Sequence, residues 1–288
     1  MAKEQRRAGE FMSKCVYALC CESNGAVNEE TGFDKLKMVT GGFYLPKTSE
    51  KRPLGQEAHF YLQNKQSIGV ADGVTSKSEE RIANDSGISA RELMSNCVAA
   101  LRRQSNEAVN PKQELKSAHF KTTSKGSSTV CIVSLNGNPD EGEFEVKARD
   151  IVVLGTDGLL DNLFTYEIED VLQNLISCGT DPQQSADTIG AAAKANSRNR
   201  LSNSPFSVAA KLAGFEYVGG KYDDITVVAA RIEYKNQLLH PNIKEEGMLP
   251  SWATELLYVK ARGGIFGSGI PSNKSHTLYN NTRNVVKE

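Results

Sequence analysis

Three times in this chain an apolar run meets an aspartate at one of its ends. "SIGVADG" carries Asp72 to Gly73, "DIVVLGTDG" carries Asp157 to Gly158, and "GGKYDDITVV" sets Asp223 and Asp224 at the mouth of the run that follows. Short apolar runs rich in β-branched residues and bounded by turn signals read as buried strands. Each carboxylate therefore stands where a buried strand surfaces. One Asp-Gly after a strand is an ordinary turn; three of them call for a fold that gathers strand ends at one place. Their spacing is irregular, unlike a contiguous calcium loop, which keeps its acids within about a dozen residues. Glycines near the acids let backbone approach an ion closely. Converging carboxylates repel one another unless a cation compensates them. All-oxygen ligation selects a hard ion, Mg²⁺ or Mn²⁺, and a pair of such ions can hold a phosphoryl oxygen and acidify a water for in-line attack.

The rest of the composition is consistent with local phosphate chemistry in a soluble protein. With 288 residues, 39% hydrophobic, the chain has enough apolar material for a substantial core. A formal net charge of -1 gives no electrostatic reason to expect nucleic acid or an acidic membrane as partner. Six cysteines without a C-x-x-C pair point to reduced thiols inside a cell. No apolar run approaches the roughly 18 residues of a membrane span. The expectation is a soluble, intracellular monomer of cytoplasm or nucleus, with an organellar presequence left open. Four isolated histidines offer no zinc spacing.

Along the chain, residues 1–38 read as a loosely ordered arm, 39–235 as the folded domain, and 236–288, with its prolines and "ARGGIFGSG", as a flexible tail. "AHFYLQ" and "SIGVAD", split by "NKQ", predict a hairpin. The segment 87–103 carries Ile88, Leu93, Met94, Cys97, Val98 and Leu101 at the spacing of an amphipathic helix. Strands are expected at 128–135, 150–156 and 223–232, and helices at 165–176, capped by Thr165, and at 185–196. Asp161 reads as a residue at a helix start and Asp224 as a group that stabilises a turn.

"SIGVADGV", "KGSSTVCIVSL", "DIVVLGTDGLLDN", "SPFSVAA" and "GGKYDDITVVAARI" follow one another in the order found in the type-2C (PPM) metal-dependent Ser/Thr protein phosphatases. From about Val39 to Ile232 the chain resembles that family, in particular the plant and mitochondrial branch related to the T-cell-activation phosphatase. The resemblance implies an α+β fold, a four-layer α-β-β-α sandwich holding two Mg²⁺ or Mn²⁺ ions. It implies that Asp72 bridges both ions, that the Gly73 carbonyl binds one, and that Asp157 and Asp223 complete the other. The implied reaction is hydrolysis of phosphoserine or phosphothreonine in a phosphoprotein substrate by a metal-bridging water, without a phosphoenzyme.

Three departures stand beside the likeness. Where the family has an acidic pair, this chain reads "LGQEAHF", with Gln56 and Glu57, so Glu57 is the candidate to act there through water. "GVADGV" runs into "TSKSEE" instead of a Gly-Gly-Trp-like segment. Between Leu135 and Asp150 the family's hairpin and further central strands are missing, which predicts exposed strand edges. That loss motivates an alternative function, a catalytically weak or inactive binding module. A haloacid-dehalogenase reading of "TDGLLD" fails because Leu159 stands where that chemistry needs a second acid.

Overall fold

Strands form where the apolar runs lie, and pairing between distant runs gathers them into two sheets. The computed structural model describes residues 16–21, 36–47, 53–74, 85–104, 110–135, 146–235, 256–261 and 264–266. In chain order the strands are β1 (Val16–Cys21), β2 (Leu36–Leu45), β3 (Glu57–Leu62), β4 (Ser67–Val74), β5 (Ser127–Ser134), β6 (Ile151–Gly155), β7 (Ile225–Tyr234), β8 (Leu256–Ala261) and β9 (Gly264–Phe266). One sheet has the order β2-β7-β6-β1-β8 and the other β3-β4-β5-β9. All pairings are antiparallel.

The side-chain period of two decides which residues meet between the sheets. From β4, Ile68 and Val70 enter the space between them, facing Met38, Val152, Leu154, Val228 and Ile232. The alternate residues point outward but are equally buried, because helices cover both outer faces. Ile151 and Val153 of β6 pack with Ile168 and Leu172 of α4 (Thr165–Ser177) and Ile189 of α5 (Pro182–Arg198). Ala71 of β4 packs with Leu93, Met94 and Leu101 of α1 (Asp85–Arg103) and with Ala118 of α2 (Pro111–Lys121), giving the four layers α-β-β-α. Strands covered on both faces read as continuous apolar runs instead of alternating ones. Burial of each large side chain contributes about 2 kcal/mol, so these layers hold the molecule together. In α1 Leu93, Met94, Cys97 and Leu101 of the expected stripe are buried and Val98 is partly buried against them, whereas Ile88, in the first turn, is 47% exposed.

The β3–β4 hairpin turns through a 3-10 helix at Gln63–Lys65, with Gln66 in the left-handed region at φ 49°. Helix α4 starts at Thr165 as expected, but its N-cap is Phe164 and not Thr165, and Glu167 accepts the Phe164 backbone N–H at 2.8 Å. Helix α5 starts at Pro182 behind an Asp181 cap whose side chain accepts from Gln184 N–H. This adds a turn ahead of the expected 185.

Among the described residues no strand lies between β5 and β6, and strands from elsewhere in the chain pair with the edges this leaves. β1 pairs along β6, from Tyr17 against Gly155 to Cys21 against Ile151. β9 pairs with the start of β5. The β6 edge expected to be exposed is thus covered along its length by a strand from the segment read as the arm, whereas the strand from the segment read as the tail covers only Ser127–Thr129 of the β5 edge. Composition misses such strands because their partners are far away in sequence.

Candidate metal centre

At one end of the sandwich the two sheets bring carboxylates together. Glu57 and Asp72 face each other directly across the β3–β4 ladder. Opposed residues on one sheet face have Cβ atoms about 5 Å apart, so the two acids are held side by side. Asp157 comes from the other sheet: it is the first residue of α3 (Asp157–Leu160), immediately after β6. One carboxylate oxygen from each of the three lies within 4.8 Å of the others, and all three residues are buried. Thr226 of β7 donates its hydroxyl to Glu57 Oε2 at 2.5 Å, so both sheets hold this group.

The backbone is built for close approach. A Cβ at Gly158 would lie 1.8 Å from the Asp224 carbonyl oxygen, so only glycine lets the 157 turn pack against the start of β7. At Gly73 a Cβ would lie 2.6 Å from the Gln56 carbonyl oxygen, which instead accepts the Gly73 N–H at 3.0 Å. Asp224 serves the same framework, accepting the backbone N–H of Gln56 at 2.7 Å and that of Lys47.

Charge is concentrated here. Burial pushes the Glu57 carboxyl well above its ordinary range, and the charges of Asp72, Asp224 and Asp157 push it further. The Lys221 ammonium answers part of this, 2.7 Å from Asp157 Oδ2, 2.5 Å from Asp161 Oδ2 and 3.2 Å from Asp223 Oδ2. Burial acts to lower the lysine's affinity for its proton, but the three carboxylates outweigh it and hold it well above the usual range. Asp161 is raised to about 6, by burial first and then by Asp157 and Asp223 against the pull of Lys221. Asp157 Oδ1 is buried and has no hydrogen-bond partner among the described residues.

The sequence-predicted residues thus divide. Asp72, Asp157 and Glu57 come together directly, with Gly73 adjoining Asp72. Asp223 is outside that group of three: it meets the Lys221 ammonium at 3.2 Å and Lys47 Nζ at 3.6 Å. Asp161 is the C-cap of α3 instead of a helix start, and its side chain joins Lys221. Sequence reasoning passed over Lys221, Asn162 and Thr226. The signal for the first was a lysine two residues before Asp223 in "GGKYDD". The donor set fits a hard divalent ion: hard anionic oxygens, one of them buried without a partner, converge from two sheets.

No protein-family model matches the chain. It is 33% identical over 259 residues to probable protein phosphatase 2C 55 of Arabidopsis thaliana, an alignment covering 73% of this chain and 55% of that protein. It is 32% identical over 251 residues to probable protein phosphatase 2C 80 of the same plant, covering 70% of this chain and 60% of the relative. The chain belongs to the type-2C protein phosphatase family. The match spans little more than half the length of these type-2C relatives. The fold is similar to that in the X-ray structure of the photosystem II phosphatase PBCP, which matches with a TM-score of 0.56 and 23% identity over 67% of this chain and 98% of that one. Among the described residues no helix is long and apolar enough to cross a membrane.

Proposed function

We propose that this chain is a Mg²⁺- or Mn²⁺-dependent protein serine/threonine phosphatase that hydrolyses phosphoserine or phosphothreonine in a phosphoprotein. The observation that carries this reading is the convergence of Glu57, Asp72 and Asp157 within 4.8 Å at the meeting of two sheets, with Asp157 Oδ1 buried and unpartnered. Asp72, Asp157 and Asp223 would hold two ions, with the Gly73 carbonyl as a further ligand. Glu57, opposite Asp72 on the β3–β4 ladder, would act there through water. When bound, such ions supply positive charge to a phosphoryl group and lower the pKa of water.

The chain's own residues provide the frame for that chemistry. Asp157 is fixed by the turn that closes on Asp224, and Glu57 is oriented by the Thr226 hydroxyl. The buried surroundings strengthen every charge interaction at the site. No nucleophilic side chain is required. Cys131 lies in the core between the sheets, where burial pushes its thiol up to about 12, so it is a packing residue.

The test is hydrolysis of p-nitrophenyl phosphate and of a phosphothreonine peptide by purified protein, with and without Mn²⁺. Turnover that a chelator abolishes and Asp157→Asn removes is the expected result. Folded protein that binds Mn²⁺ but turns over neither substrate would instead support the inactive binding module.

A further inference from the structure

Lys221 places a fixed positive charge inside a cluster whose chemistry calls for divalent ions. Its side chain is only 11% exposed, and its ammonium touches Asp157, Asp161 and Asp223 at 2.5 to 3.2 Å. The backbone carrying it is locked. Lys221 N–H donates to Asn162 Oδ1 at 2.9 Å, while Asn162 Nδ2 donates to the Lys221 carbonyl at 2.9 Å and to the Gly158 carbonyl at 2.8 Å. Asn162 is fully buried, so this amide ties the lysine to the same helical turn that presents Asp157. The ammonium also stands 5.5 Å from the centroid of the buried Phe206 ring, a favourable position for a cation.

Asp157 consequently has two unlike oxygens. Oδ2 is committed to Lys221, while Oδ1 is buried with no partner among the described residues and belongs to the carboxylate that approaches Glu57 and Asp72. We propose that Lys221 is a built-in counter-cation that makes the two cation positions unequal. The position on the Glu57–Asp72–Asp157 side is open to a divalent ion. The position between Asp157 and Asp223 admits one only as the ammonium yields its place. A lysine suits this role because its charge is a compact point on a flexible stem, able to withdraw while the backbone stays clamped. The inference rests on the metal reading given above.

Isothermal titration of the metal-free chain with Mn²⁺ tests it, together with thermal melts followed by circular dichroism. The wild type should show one tight step and one weaker step. Lys221→Met should tighten the second step by roughly 10- to 100-fold, the scale on which groups around metal ligands act. It should also lower the melting temperature without metal and raise the gain on adding Mn²⁺. Lys221→Arg, which keeps the charge, should retain the weak second step and guards against a misfolded Met variant. Equal steps in the wild type, or an unchanged second step in a folded Lys221→Met, would overturn the role of Lys221 while leaving the metal reading intact. No Mn²⁺ binding by wild type and both variants would overturn both.

Discussion

The space between the sheets and the acidic end of the sandwich are built from the same strands, a few residues apart. Val70 lies in the core and Asp72 at the acidic end of β4; Leu154 is core and Asp157 follows β6; Val228 is core and Thr226 reaches Glu57 from β7. The two regions nevertheless do opposite thermodynamic work. Removing apolar surface from water stabilises the first, whereas gathering buried carboxylates in the second opposes folding until a cation compensates them. Strands that must hold repelling charges in place need an apolar stretch directly behind them.

This contrast can be broken most decisively at Asp157. Asp157→Asn should cut Mn²⁺-dependent hydrolysis by more than about 100-fold, exceeding the effect of groups that merely support a metal ligand. The protein should remain folded by circular dichroism; activity within a few-fold of wild type would place the reaction elsewhere. On the other side of the comparison, Leu154→Ala should cost about 3 kcal/mol in urea unfolding because it leaves a cavity at a fully buried position. Mn²⁺ affinity of the folded fraction should be unchanged.

Glu57 sharpens the contrast through pH. Its folded carboxyl binds a proton more tightly than the unfolded one. Its contribution to metal-free stability is therefore fully present below the ordinary pKa of about 4.5 and is lost as pH rises through the folded value. Glu57→Gln should raise the melting temperature of the metal-free protein at pH 7 by a few degrees, as about 1 kcal/mol does in a domain of this size. The gain should disappear near pH 4. A Glu57→Gln variant less stable than wild type at pH 7 without metal would show that the acidic end is not under charge strain.

The smallest effect is expected at a carboxylate outside the cluster. Glu92 of α1 accepts the backbone N–H groups of Thr123 and Ser124, both at 2.9 Å, and both of their hydroxyls. These hydrogen bonds, Ser124's hydroxyl foremost, hold it down to about 2. Its stabilisation is present above about 4.5 and lost as pH falls toward 2. Glu92→Gln should therefore cost under about 1 kcal/mol at pH 7, since the group is exposed. The difference from wild type should close as the pH is lowered, a trend opposite to that at Glu57.

Much of this arrangement was legible in the sequence because it is written locally. Strands β4, β6 and β7 are short apolar runs with turn residues at their ends, and the stripe from Leu93 to Leu101 has helical spacing. Asp72 and Asp157 stood out because the same carboxylate at the end of an apolar run recurs three times, although one alone is an ordinary turn. β1, β8 and β9 were not legible, since each becomes a strand by pairing with a distant segment. Helix α2 is short and weakly amphipathic, and it declares itself only through its Asn110 cap and Pro111. Lys221 was missed because a lysine beside two aspartates looks like an ordinary solvated turn; its importance depends on Asn162, which is 59 positions away in sequence.

The strand pairings also order the assembly of the molecule in time. β3 and β4 join within a few residues, Leu62 against Ser67, so Glu57 and Asp72 can meet while the chain is still being synthesised. The other sheet joins Leu36 to Tyr234 and Cys21 to both Ile151 and Leu256, and such remote closures form slowly. Asp157 therefore reaches Glu57 and Asp72 only when the two sheets come together, and a divalent ion held from both sheets would act as the latch on that step.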